Sequence, residues 1–427
     1  MTVSLRAPVA AVRRFQSWRF GLFVHWGLYS AAARHEWVKY RERLTDDQYQ
    51  PYFDTFDPDL YEPSAWAALA REAGMRYAVL TTKHHDGFCL WDSDLTDYKV
   101  TRTPHGRDAV GPFADAFRAA GLGIGFYHSL IDWHHPDFTV DSHHPQRDDA
   151  AARAGNAERD MNRYTDYLHG QVQELLTRYG DVDIMWFDFS YPDKDIHEQP
   201  ITDGKGRTAW ASERLVRTVR SLQPDILLND RLDLPASADF TTAEQFQPAG
   251  PVMVDGRPVV WEGCQTLNGS WGYDRDNLDD KPADLLVRML VDSVSKDGNL
   301  LLNVGPNARG EIDPRAVRTL REIGAWMRLH SAAIHDAGPS THQAPDGCRY
   351  TQRGDRLYLH LFSWPMKHVR LPGLAGRARY ARFLNDHSEV RRTEPAAAHE
   401  GDALTLELPI QRPDVAVPVV ELALHES

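Results

Sequence analysis

A single carboxylate, Asp188, stands in the apolar run Ile-Met-Trp-Phe-Asp-Phe at 184–189. Burying a carboxylate without a partner is costly, so Asp188 must be hydrogen-bonded, paired or put to chemical use. Glu244 follows a second, weaker extended run and Glu262 ends a third. Paired carboxylates at one rim suit hydrolysis of a glycosidic bond. In the retaining version one carboxylate attacks the anomeric carbon and the other protonates the leaving oxygen, the two standing roughly 5–5.5 Å apart. An attacking group must be held rigidly, which a place in an apolar run provides. The acid belongs on a different element, partly neutral in its surroundings. Glu244 and Glu262 both fit, and residue chemistry does not choose between them.

Other polar residues fall at the ends of apolar runs: His25, His84 and His85, Tyr127 and His128, and Arg231. His84-His85-Asp86 offers metal-ligand types, which makes a metal-dependent hydrolase one rival reading. Adjacent residues on a strand point to opposite faces, however, and the spacing of a helical HExxH site is absent. Two neutral imidazoles that hydrogen-bond substrate hydroxyls are favoured, with no metal. Several of the twelve tryptophans sit beside polar residues: Trp26 after His25, Trp37 after Glu36, Trp133 after Asp132, Trp261 before Glu262. Rings next to hydrogen-bonding groups suit a sugar, although core packing accounts for most of them.

These residues are positioned by an alternation of short apolar strands and amphipathic helices over residues 1 to 337. Strands are predicted at 19–26, 77–82, 123–129, 184–189, 226–230, 239–244 (weak), 258–264 and 299–304. Helices are predicted at 64–74, 108–120, 157–179, 211–222, 282–296 and 314–335. Pro63-Ser64 opens the first of these and Gly74 closes it, as capping chemistry requires. Repeated strand-then-helix alternation with about eight strands implies a (β/α)8-like barrel, whose catalytic groups project from the C-terminal ends of the strands. A doubly wound open sheet is the alternative, weakened because no Gly-rich nucleotide fingerprint opens the first helix. After about Ser340 the texture changes to alternating runs at 355–363, 403–408 and 418–424. Residues 338–427 therefore read as a small antiparallel β-sandwich behind the barrel.

The chain has 427 residues, 42% hydrophobic and 26% charged, with a formal net charge of −13. That acidic balance argues against nucleic acid or an anionic membrane as the main partner. Cys89, Cys264 and Cys348 are scattered, with neither CxxC spacing nor a disulfide framework. Arg13-Arg14 is followed by no apolar segment, and nothing resembles a signal peptide or a membrane span. The expectation is a cytoplasmic protein.

The motifs resemble those of glycoside hydrolase family 29, the α-L-fucosidases, over nearly the whole barrel. They are Phe20-Gly-Leu-Phe-Val-His-Trp-Gly27, Glu36-Trp37, Lys83-His-His-Asp-Gly-Phe88 with Leu90-Trp-Asp-Ser93, and Tyr127-His-Ser129 with Asp132-Trp133. Further along come Trp186-Phe-Asp188, Asn229-Asp-Arg231, Trp261-Glu-Gly-Cys264 with Ser270-Trp-Gly-Tyr273, and Gly298-Asn-Leu-Leu-Leu-Asn-Val-Gly-Pro306. The resemblance implies a barrel, a C-terminal β-sandwich, no metal or other cofactor, and retaining hydrolysis of terminal α-L-fucose from an oligosaccharide or glycoside. It assigns Asp188 as nucleophile. It places His25, Glu36, Trp37, His84, His85, Tyr127, Trp186 and Arg231 around the sugar. Thr242-Ala-Glu-Gln245 resembles the family's Thr-Pro-Glu-Gln segment, which favours Glu244 as acid/base. Glu262 is the runner-up and otherwise supports the sugar, directly or from behind the residues that touch it. The chain departs from the family at Phe189, where Gly is common, at Leu232, where Trp-Gly is common, and at Ala243, which replaces Pro. A carbohydrate-binding protein with a degenerate site is the other rival reading.

Overall fold

The protein is described from a computed structural model, over residues 4–194, 199–396 and 401–425. Eight parallel strands form one curled sheet: β1 (Phe20–Val24), β2 (Tyr77–Lys83), β3 (Gly123–Ser129), β4 (Ile184–Asp188), β5 (Leu227–Leu228), β6 (Thr241–Glu244), β9 (Trp261–Thr266) and β10 (Gly298–Val304). Between β6 and β9 lies a two-residue hairpin, β7 (Met253–Val254) with β8 (Arg257–Pro258). The order across the sheet is β5-β4-β3-β2-β1-β10-β9-β6. Helices predicted around it are present at Pro63–Glu72, Val110–Ala119, Met161–Arg178, Ser212–Leu222, Ala283–Ser295 and Pro314–His330. Their starts obey local chemistry. Asp160 and Asp313 accept from the backbone N–H two residues on, and Pro314 opens its helix at the first position.

The inner face of the sheet is filled by Phe23, Tyr77, Val79, Tyr127, Ile184, Trp186, Leu227, Phe240, Cys264 and Leu301. Alternation along each strand points these residues inward. Large rings need room at the narrow N-terminal end. A Cβ on Gly298 would lie 2.2 Å from the Trp261 ring, so only glycine lets that ring in. A helix not expected from the sequence, Val9–Trp18, closes this end and inserts Ala11 and Phe15 into the inner core.

Two strands differ from expectation. The fifth shrinks from 226–230 to Leu227–Leu228, because the side chain of Asn229 replaces the backbone ladder. Its Oδ1 accepts from Phe187 N at 3.1 Å and its Nδ2 donates to Phe187 O at 2.8 Å. The strand expected at 258–264 is displaced to Trp261–Thr266. Glu262 is therefore its second residue and not its end.

Between β5 and β6 there is no strand ladder. This seam is bridged by Asp239, which donates N–H to Leu228 O and accepts from Leu228 N through Oδ2, each at 2.8 Å. It is also bridged by Asp230 Oδ1, which accepts from Thr242 Oγ1 at 2.9 Å and Thr242 N at 3.2 Å.

Beyond the barrel, β11 (Cys348–Arg353), β12 (Arg356–Leu361), β17 (Val419–Leu424) and β14 (Ala378–Phe383) form a four-stranded sheet in that order. It faces a three-stranded sheet of β13 (His368–Leu371), β16 (Leu404–Glu407) and β15 (Arg391–Thr393). The pairings within both are antiparallel. Leucines 357, 359, 371, 404, 406 and 422 pack between them. This unit docks on the last barrel helix. Trp326 Nε1 donates to Val417 O and Thr351 Oγ1 to Ala333 O, each at 2.7 Å.

Candidate active site

Asp188 closes β4, where strand geometry aims it out of the C-terminal rim. Its Oδ2 accepts from the Tyr127 hydroxyl at 2.8 Å, and its Oδ1 from Arg231 Nη1 at 3.3 Å. The side chain is only 14% exposed. Burial pushes its carboxyl up to about 6. Arg231 and Tyr127 oppose that rise, and Glu244 adds to it. Glu244 closes β6 on the far side of the seam and is 40% exposed, at the mouth. Its Oε2 accepts from Arg231 Nη2 at 2.6 Å. One guanidinium thus spans both carboxylates. Arg231 is itself fixed by Nε donating to Thr242 Oγ1 at 2.8 Å and lies 5.4 Å over the Trp186 ring.

A cavity opens beside Asp188. Of the expected residues, His25, Trp37, His84, His85, Tyr127, Trp186, Asp188 and Glu244 line it. Phe23, Phe189, Cys264 and Trp271 line it as well and were not among the sequence candidates. Phe23 carried a usable signal, since it lies two residues before His25 on one strand and so on the same face. Trp271 and Phe189 sit on rim loops, whose direction no periodicity reveals. Phe189 has φ +81°, the left-handed region that a bulky side chain rarely adopts, at a cost of about 1–2 kcal/mol. That conformation suits glycine better than the phenylalanine present.

The histidines form a row. His84 stacks on Tyr127, with ring planes 8° apart, and lies 4.1 Å from the His85 ring and 5.6 Å from that of His25. Burial pushes His25 down to about 3 and His84 and His85 far below the usual imidazole value, so all three are neutral at pH 7. Their tautomers follow from their partners. Asn303 Nδ2 donates to Trp271 O at 2.7 Å, which turns its Oδ1 to His25 Nδ1 at 2.6 Å. Ser129 Oγ donates to Ile131 O at 2.8 Å and so accepts from His85 Nδ1 at 2.6 Å. Both rings therefore keep an accepting Nε2. His85 Nε2 lies 3.8 Å from Asp188 Oδ2. A neutral row of acceptors beside aromatic walls is suited to sugar hydroxyls.

Two expected contacts lie behind the pocket. Glu36 is fully buried, accepts from Gly272 N at 2.8 Å and stands 3.0 Å from His35 Nδ1. It anchors the loop that presents Trp271, and burial pushes it up to about 7. Glu262 is corrected from a rim residue to an interior one. Buried inside the barrel, it accepts from Trp186 Nε1 at 3.1 Å and from the Tyr77 hydroxyl, and burial pushes it up to about 7. It holds Trp186 from beneath and does not line the cavity. Asp86 points away from its neighbouring histidines, accepting from Tyr49 Oη at 3.0 Å. Among the described residues no three His, Cys, Asp or Glu side chains converge as metal ligands.

A parallel barrel with two carboxylates and an aromatic, histidine-lined pocket at its rim defines a glycoside hydrolase. A family model described as Alpha-L-fucosidase matches residues 3–332. Tissue alpha-L-fucosidase of Bos taurus is 29% identical over 380 residues, 82% of this chain and 75% of that protein. The solved alpha-L-fucosidase isoenzyme 1 from Paenibacillus thiaminolyticus is 46% identical, covering 97% of this chain and 99% of that one, with a TM-score of 0.91. A Bacteroides thetaiotaomicron alpha-L-fucosidase, solved as a trapped covalent intermediate with 2-fluoro-fucosyl fluoride, is 25% identical over 100% of both chains, with a TM-score of 0.83. The chain belongs to the alpha-L-fucosidase family, glycoside hydrolase family 29.

Proposed function

We propose that in this retaining α-L-fucosidase Asp188 is the nucleophile and Glu244 the acid/base. The observation that carries the assignment is the single guanidinium of Arg231 between a buried carboxylate and one at the mouth. Asp188 attacks the anomeric carbon of a terminal α-L-fucose, and the carbon–oxygen bond to the aglycone breaks. Glu244 gives its proton to the departing oxygen. Water then enters on the same side, Glu244 takes its proton, and the bond to Asp188 breaks. The neutral histidines accept from the sugar hydroxyls, while Phe23, Cys264 and Trp271 offer an apolar wall to the deoxy carbon. The substrate is a fucosylated oligosaccharide or glycoside. The described residues contain no helix long and apolar enough to cross a membrane. We place the protein in the cytoplasm, where its three free, buried cysteines would remain reduced.

Azide tests the assignment, because the two carboxylates leave opposite stereochemical signatures. With an activated aryl α-L-fucoside, Asp188→Ala should lose at least about 10³-fold in kcat, and azide should restore turnover to give β-fucosyl azide. Glu244→Ala with azide should give α-fucosyl azide, and Glu262→Gln should need no rescue. Full activity in Asp188→Ala, or α-azide from the Glu262 variant instead of the Glu244 one, would reject the assignment.

A further inference from the structure

Phe189 directly follows Asp188 and adopts a left-handed backbone, with φ +81°. Its amide donates to the Asp188 carboxyl, a task that glycine could perform equally well. The phenyl ring is therefore not explained by the turn. It is half-buried and reaches the cavity wall. There it packs 5.2 Å from His85, 5.4 Å from Trp37 and 5.2 Å from His143. Trp37 and His85 are themselves in contact at 5.1 Å, so the three rings form one continuous wall. No ring contact joins Phe189 to Phe23 or Trp271, the apolar side of the cavity, among the described residues.

On the reading of Asp188 as nucleophile, the anomeric carbon lies at its carboxylate. The sugar edge that faces His85 and Trp37 then carries the hydroxyls next in the ring. We propose that Phe189 is a specificity-determining residue: its ring closes the pocket on the hydroxyl edge and rejects fucosides substituted at O2 or O3. The enzyme is thereby confined to terminal residues that carry no branch or ester on that edge. The strain at a non-glycine left-handed position is the trace of this selection, since the backbone tolerates a smaller residue more readily than the one it has.

The test compares p-nitrophenyl α-L-fucoside with its 2-O-methyl and 3-O-methyl ethers on the wild type, Phe189→Gly and Phe189→Asn. Glycine and asparagine both accept a left-handed backbone, so the fold is not placed at risk. The quantity read is the kcat/KM of each ether divided by that of the parent. In Phe189→Gly that ratio should rise about 10- to 100-fold for at least one ether, the scale of one methyl relieved of a clash, with a smaller rise in Phe189→Asn. Ratios that stay put in both variants, with the parent still cleaved, would overturn the proposal. A wild type that cannot cleave the parent would reject the fucosidase reading itself, and this proposal with it.

Discussion

Asp188 is held at odds with its own charge. Its carboxyl is pushed up to about 6 in the folded protein, above the roughly 3.9 of an unfolded chain. The folded state therefore keeps the proton longer, and stability falls as pH rises from about 4 to about 6 and then levels off. Asp188→Asn removes that penalty. It should melt higher than the wild type at pH 7.5, by an amount equivalent to about 1–3 kcal/mol, and the gap should close toward pH 4. Melting curves at pH 4, 5, 6 and 7.5 check this, and a pH-independent gap would contradict it. On the proposed assignment the same ionisation should give kcat/KM an acid limb near pH 6, because a protonated carboxyl does not attack. At this scale much was legible in the sequence. Asp188, His25 and the His84-His85 pair announce themselves as polar residues at the ends of apolar runs, where burial without purpose is expensive. Glu262 lies in the interior because its strand begins at residue 261, three later than expected, which puts it near the strand's N-terminal end.

The elements show where local signals stop. Strands β1 to β4 and the six helices of the barrel follow from hydrophobic period, Pro at helix starts and Gly at ends. The helix Val9–Trp18 did not, for its N-cap is Pro8 with no side-chain capping bond, and only Ala11 and Phe15 are buried in it. Its stability comes from the barrel end it fills. Phe15→Ala should then cost about 3–5 kcal/mol, as for other large buried rings, while kcat of the folded enzyme changes little because the plug lies at the end opposite the site. Urea unfolding read beside kcat separates these effects, and an unfolding free energy unchanged by the substitution would rule out the plug. The fifth strand is shorter than its apolar run because a side-chain amide, Asn229, continues a ladder that the backbone has left. No propensity encodes such a substitution.

In the whole molecule, the texture change after Ser340 marks the two antiparallel sheets, but their dependence on the barrel is visible only in contacts. Tyr358, Leu384, Val417 and Val419 belong to the same core as Trp326 and Ile334 of the barrel. A chain ending at Ala337 would bare that surface and leave Trp326 Nε1 without Val417 O. It should elute as aggregate, whereas the full chain gives a defined species by light scattering. A soluble, active 337-residue fragment would show that the two units are independent.

The seam between β5 and β6 has an evolutionary consequence. Asp188 rides on a strand paired in register with β3 and β5, whereas Glu244 rides on β6, which pairs in register with β9 and is joined to β5 across the seam by the side chains of Asp230 and Asp239 and one backbone bond. A lineage can therefore lengthen or shift the segment that crosses the seam toward Glu244 without disturbing the ladders that hold Asp188. The two proposed partners of one reaction are thus inherited on unequal terms, one held by ladders on both sides of its strand and the other by a ladder on one side only.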